Sequence, residues 1–167
     1  MNIYQQFRAQ KDQIFESDMH SPLTAEQKQS FDGLNYFPVN HDLRFEAPID
    51  EFDEKEEVQI QTNTGDIRKF TRYGLVHFSV DGEEASLTVY ADPNGFFIPF
   101  VDGLAGKETY DAGRYLDPEV TDDGKLILDF NLAYNPYCAY NDLYSCPLPP
   151  AENRLAVPIK AGEKNFK

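Results

Sequence analysis

Two cysteines, one arginine and a small set of acids, amides and phenols carry the chemistry open to this sequence. Cys138 and Cys146 lie eight residues apart inside the run Asn131 to Asn153. Three readings of the pair stay open: buried free thiols, a disulfide closing a short loop, or two ligands of a zinc ion completed by His or carboxylate. The tight Cys-x-x-Cys knuckle of zinc sites is absent. A nucleophilic Cys would need His20, His41 or His77 close by.

Strand parity gathers a second set. Val76, Phe78 and Val80 on one face of a strand leave His77 on the other; Leu126, Leu128 and Phe130 leave Asp129 and Asn131 opposite; Glu108, Tyr110 and Arg114 share a face. These residues would line one polar surface. Facing water, it is a solvated sheet and nothing more. Roofed by the 131–153 run, it becomes a cleft. Arg114 would then clamp an anionic ligand bidentately, and Tyr134, Tyr137, Tyr140 and Tyr144 would supply walls or polar handles. Some of these tyrosines are expected to be plugs of the fold instead. The expected contact set is Tyr110, Arg114, Asn131, Tyr134, Asn135, Tyr140 and Asn153. For catalysis, His77 with Glu108 or Asp129 would be the general acid–base pair, although an ordinary sheet histidine is the plainer reading of His77.

No serine elbow, metal triad or cofactor fingerprint accompanies them. Lys107 after Gly106 is not a phosphate-binding loop, because Val101 stands where its first glycine belongs and Glu108 where its hydroxyl residue belongs.

The elements that must position these groups read as two N-terminal helices followed by strands. Tyr4, Phe7, Ile14 and Phe15 recur at helical spacing over 4–18, with Arg8 and Lys11 at the edge of the stripe. Those two cations either lay buried stems under wet charges or aim inward as a pair. A second helix starts at Ser21-Pro22 or, one turn later, at the capping box Thr24-x-x-Gln27. Strands are expected at 43–49, 57–62, 66–73, 75–81, 85–91, 96–102, 108–116, 125–130 and 154–159. Asn63-Thr64-Gly65-Asp66, Asp81-Gly82, Asp92-Pro93-Asn94-Gly95 and Asp122-Asp123-Gly124 are turns between them. Strands so close together pair antiparallel. The expected fold is mainly β (α+β), an antiparallel barrel or sandwich with the helices packed on it. Asp50 to Glu57, with six acids in eight residues, reads as a solvated loop.

Asn131 to Asn153 has neither strand nor helix periodicity. With four tyrosines, four prolines and both cysteines, it reads as an ordered long loop, the usual home of function in a compact domain. The 167 residues form one domain: a helical segment 1–35, strands 43–130, this loop, and a final strand and tail 154–167.

A formal net charge of −14 repels phosphate backbones and anionic lipid, so nucleic acid and membrane surfaces are not the expected partners. No apolar run is long enough to span a bilayer, and the start of the chain lacks the pattern of a signal peptide, which makes a cytoplasmic location the expectation.

Longer patterns are familiar. Gly106-x-Glu108-Thr109-Tyr110-x-x-Gly113-Arg114-Tyr115-Leu116, Asp129-Phe130-Asn131-x-Ala133-Tyr134-Asn135-Pro136-x-Cys138-Ala139-Tyr140 and Tyr144-Ser145-Cys146-Pro147-Leu148-Pro149-Pro150-x-Glu152-Asn153 stand out, with Arg8-x-x-Lys11-Asp12 and the closing Gly162-Glu163-Lys164. Together they resemble the prokaryotic domain-of-unknown-function family 1684, over nearly the whole chain. The resemblance implies no activity, but its defining residues are largely polar and crowd the same region.

The functional expectation is a small-molecule site, binding or hydrolytic, where 108–116 and 129–131 meet the loop. The alternatives are a non-enzymatic structural or interaction module, in which the same residues brace the loop, and a zinc protein using Cys138 and Cys146.

Overall fold

Two antiparallel sheets face each other across one apolar core in the computed structural model, which describes residues 2–166. The strands are β1 (Arg44–Pro48), β2 (Asp50–Gln61), β3 (Ile67–Val80), β4 (Glu83–Asp92), β5 (Gly95–Phe100), β6 (Arg114–Leu116), β7 (Glu119–Val120) and β8 (Lys125–Asp129). The larger sheet runs β2-β3-β4-β5-β6 and the smaller β1-β8-β7. Neither closes on itself, so the fold is a sandwich-like α+β arrangement and not a barrel. Val76, Phe78, Val80, Leu87, Val89, Ile98 and Phe100 from the larger sheet meet Ala47, Leu126, Leu128 and Phe130 in the core. Alternation along β3 and β8 therefore does what period-two patterning predicts.

The β3–β4 hairpin turns through Asp81 at φ 51° and Gly82 at φ 84°. Both values are positive, the geometry that matches the twist of the flanking strands.

Several expectations are corrected. Asp50–Glu57 is no loop but part of β2, which pairs with β3 through a register shift between Glu51 and Glu56. The expected strands 66–73 and 75–81 are one strand, irregular between Arg72 and Gly74. Gly74 is needed there, because a Cβ would lie 2.7 Å from the Asp50 carbonyl oxygen and 2.9 Å from Ile49 Cγ2. That is the corner where the chain passes from one sheet to the other. Of 108–116 only 114–116 is strand, since 104–113 is a series of turns. Residues 154–159 form no strand, only a bridge from Arg154 to Val101.

Helix α1 (Ile3–Ser17) opens with Asn2 and Gln5 in a capping box, and α2 (Ala25–Ser30) with Thr24 and Gln27 in another. Tyr4 and Phe15 are buried, while Phe7 and Ile14 are 41% and 47% exposed. The inward stripe is thus 4, 8, 11, 15, with Arg8 and Lys11 at its centre and not at its edge. Phe15 packs edge-on against Tyr140 of the loop, at 4.9 Å between ring centres.

Candidate functional site

The 131–153 loop is ordered by short helical turns at Phe130–Leu132, Tyr137–Ala139 and Ala151–Asn153 and by side chains that act as missing backbone. Asp129 caps the first turn, accepting from the Asn131 N–H at 3.1 Å and from Asn131 Nδ2 at 3.0 Å, and takes the Tyr4 hydroxyl at 2.5 Å. Asn131 in turn pairs with both backbone groups of Asn40 at 2.9 Å. Asn153 is wholly buried between β4 and β5. Its Oδ1 accepts from the Thr88 N–H, and its Nδ2 donates to the carbonyls of Thr88 and Pro99.

Arg114 is 1% exposed and does not line the groove beside the loop. Its guanidinium donates to the carbonyls of Ala161, Glu163 and Ile159 at 2.5, 3.0 and 3.0 Å, with Asp102 Oδ2 at 3.7 Å. Burial pulls its pKa down to about 10, against the upward pull of Asp102 and then Glu163, so it remains charged at neutral pH. The anion clamp expected of this residue is spent on the C-terminal tail. Parity could not reveal this, because it says which way a side chain points and not what covers it.

Glu163, also 1% exposed, is the hub that the strand pattern missed. One carboxylate oxygen accepts from the Tyr140 hydroxyl at 2.5 Å, the other from the Asn135 N–H at 2.7 Å and Lys11 Nζ at 3.0 Å. Its own N–H reaches the Ala133 carbonyl. Gly162 at φ +76° makes this possible, because a Cβ there would sit 2.7 Å from the carbonyl oxygens of Phe130 and Ala133. Gly162-Glu163-Lys164 was visible as a motif, but nothing in its composition marks a buried carboxylate.

His77 and Glu108 lie elsewhere. His77 is on the solvent side of β3, 3.9 Å from Asp50, and Glu108 is exposed in a turn where its carbonyl accepts from Asn165. Asp129 is held by Tyr4 and Asn131. The three candidate catalytic groups are not brought together, and the single polar surface expected from parity does not form.

Beside the loop lies an open, shallow aromatic groove of about 310 Å³. Phe70 of β3, Phe97 of β5 and Tyr115 of β6 form its floor, and Tyr134, Tyr137, Tyr144, Cys146 and Pro147 of the loop form its walls, with Arg68, Asp92 and Asp117 among the lining. Phe70 and Phe97 stack at 5.3 Å, and Phe97 meets Tyr115 edge-on at 4.8 Å. Burial pushes the Tyr115 and Tyr134 hydroxyls up, so these walls are neutral at physiological pH. Tyr134 donates to Asp117 at 2.6 Å, and Arg68 to the Ser145 carbonyl at 2.8 Å. Tyr134 and Asp117 also border a groove of about 350 Å³ between α1 and the smaller sheet, where Ile3 and Phe7 are exposed. Of the expected ligand contacts only Tyr134 reaches the aromatic groove. Arg68, Phe70 and Phe97 were missed because their strands read as ordinary sheet.

The far rim is tied to the β2–β3 turn. Asn63 Oδ1 accepts from the Cys146 N–H at 2.7 Å, and Ser145 Oγ donates to Asp66 at 2.6 Å. Hydrogen bonds from Ser145 first, then Thr62 and Thr64, hold the Asp66 carboxyl well below the usual carboxylate range. Behind the wall, the Cys138 and Cys146 thiols are free and packed together, with the Tyr110 hydroxyl 3.8 Å from Cys138 Sγ. Among the described residues no group of three or more His, Cys, Asp or Glu is placed to hold a metal ion. The two sulfurs thus lack the remaining ligands that a zinc site needs.

Fold and site together define a two-sheet α+β sandwich whose long loop, braced by residues 159–163, borders an open aromatic groove. The chain belongs to the family described as "Protein of unknown function (DUF1684)", whose pattern matches residues 29–164. It is similar to an uncharacterized protein of Haloarcula marismortui with a solution NMR structure, at 38% identity and a TM-score of 0.72, over 96% of this chain and 91% of that one. The comparison with curated proteins finds no match. Among the described residues, no helix is long and apolar enough to cross a membrane.

Proposed function

We propose that this protein binds a small, flat organic molecule in the groove beside the 131–153 loop, and that the ligand is neutral or cationic. The observation that carries the reading is the groove itself: about 310 Å³, open to solvent and lined largely by phenol and phenyl rings. That is the lower end of the size range of small-molecule sites, which runs from ~300 to ~1,000 Å³. An anion, the earlier expectation, is disfavoured. Arg68 is opposed by Asp92 and Asp117 in the lining, and the chain as a whole carries −14. Ring faces attract cations, and the surrounding field draws them in. Hydrolysis has less support, because His77, Glu108 and Asp129 stand apart.

A second reading is favoured by a different observation. Arg114, Asp129, Asn131, Asn153 and Glu163 are all bonded internally, as expected of an interaction module whose polar residues only brace its loop.

NMR titration with a panel of planar amines and matched planar carboxylates tests the proposal. Shifts are expected at Phe97, Tyr115 and Tyr144 with the amines. The double variant Tyr137→Ala/Tyr144→Ala should weaken binding roughly tenfold with unchanged circular dichroism, the cost of two lost ring contacts. Shifts confined to other surfaces, or tighter binding of the carboxylates, would refute it. No binding by any member of the panel would leave the interaction module standing.

A further inference from the structure

We propose that Cys138 and Cys146 form a redox-active dithiol that exchanges with low-molecular-weight disulfides, with Cys146 as the attacking sulfur and Cys138 as the resolving one. The proposal is independent of which ligand the groove prefers.

Four observations carry it. The two thiols are free and buried in one small cluster with Tyr115, and cysteines packed together across a short loop are placed for disulfide formation. They are not equivalent in access, because Cys146 is part of the groove wall beside Ser145 and Pro147 while Cys138 is not. An incoming disulfide meets Cys146 first. The polar surroundings are also lopsided: the Arg68 guanidinium donates at 2.8 Å to the carbonyl of Ser145, the residue next to Cys146. Finally, Cys146 is fixed by its neighbours, its N–H bonded to Asn63 Oδ1 at 2.7 Å and its carbonyl to the Asn63 N–H at 3.2 Å. Structural free thiols need no such arrangement.

The electrostatics agree with the geometry. The hydrogen bond from Cys138, and then those from the backbone N–H groups of Cys138 and Tyr137, hold the Cys146 thiol below its ordinary range despite its burial. The same contact, followed by burial, pushes the Cys138 thiol up. The pair thus favours ionisation at Cys146 over Cys138.

Every atom in the exchange is accounted for. The Cys146 thiolate attacks one sulfur of the disulfide R–S–S–R. A Cys146–S–S–R bond forms, the R–S–S–R bond breaks, and RS⁻ leaves along the groove. Cys138 then gives up its proton to the departing thiolate and attacks Cys146 Sγ. The Cys138–Cys146 bond forms as a second RS⁻ departs. Two thiols are oxidised by two electrons, and one disulfide is reduced to two thiols.

Oxidised glutathione is the probe. Intact reduced protein is mixed with it at neutral pH, quenched at early times by alkylation, and mapped by mass spectrometry. The wild type should first carry glutathione on Cys146 and then become lighter than the reduced chain by two hydrogens, and dithiothreitol should reverse both. Cys138→Ser should accumulate the Cys146 adduct. Cys146→Ser should react on the order of tenfold more slowly or less, as a buried thiol without a stabilised thiolate does. If either variant fails to fold by circular dichroism, the early adduct of the wild type decides alone. An adduct found first on Cys138, or shared equally, overturns the proposal. So do two thiols that stay free in the folded protein yet react once it is unfolded.

Discussion

The side chain of Asn153 stands in for a strand: it bonds the N–H of Thr88 at 2.8 Å and the carbonyl of Thr88 at 3.0 Å. It also takes the Pro99 carbonyl at 2.8 Å, filling the gap where β4 and β5 part beyond their pairing at Tyr90–Phe97. Asn153→Ala strands three buried backbone groups and should cost roughly 3 kcal/mol. Urea denaturation would register this as a lower midpoint at unchanged slope; a loss under 1 kcal/mol would show that the gap is filled some other way.

Glu163 and Lys11 form a buried pair with the two partners 1% and 17% exposed. Glu163→Gln leaves the ammonium uncompensated and should destabilise by about 3–5 kcal/mol. Adding Lys11→Met should recover part of that loss. A double-mutant cycle measures the coupling, and strict additivity would show that the pair contributes nothing.

Alkaline pH should unfold the protein through its phenols. Burial, followed by the hydrogen bond to Asp129, raises Tyr4 from 10.0 to about 12, and burial likewise raises Tyr36, Tyr90, Tyr115, Tyr134 and Tyr140. The folded state therefore holds these protons more tightly than the unfolded state does. Their contribution to stability is intact below pH 10 and is lost as pH rises through 12 and above. Tyrosinate absorbance should rise in one step together with the loss of near-ultraviolet dichroism. Gradual ionisation of these residues near pH 10 in folded protein would contradict the burial.

His77→Ala and Glu108→Gln should each change stability by less than about 0.5 kcal/mol, as exposed side chains do, the wet contact of His77 with Asp50 included. Thermal denaturation checks this. A large loss from either would reveal a partner that the fold does not display.

Much of the framework was legible because patterning and turn chemistry agreed. Tyr4 and Phe15 mark α1, Val76, Phe78 and Val80 mark the inner face of β3, and Asp81-Gly82 marks a tight hairpin. The acidic strand β2 was not legible. It lies at an edge of its sheet, where charges discourage pairing with strangers, and its composition therefore imitates a loop. Gly74 was read as a break between strands because a glycine that relieves a backbone corner looks like a turn residue. The candidate site was legible as an address only. The 131–153 run carries three short helical turns, but Arg114 and Asn153 turn inward, and the groove draws Arg68, Phe70 and Phe97 from strands far away in sequence.

The tail also has a bearing on how the molecule is made. Residues 159–163 leave the ribosome after Arg114, Asn135 and Tyr140, yet their carbonyls and the Glu163 carboxylate are what the Arg114 and Tyr140 side chains and the Asn135 N–H hold. Until that short stretch emerges, a guanidinium, an amide and a phenol wait without partners, and the aromatic loop has nothing to close against. The stretch therefore acts as a latch: contacts made late in synthesis are the ones that fix the loop in place.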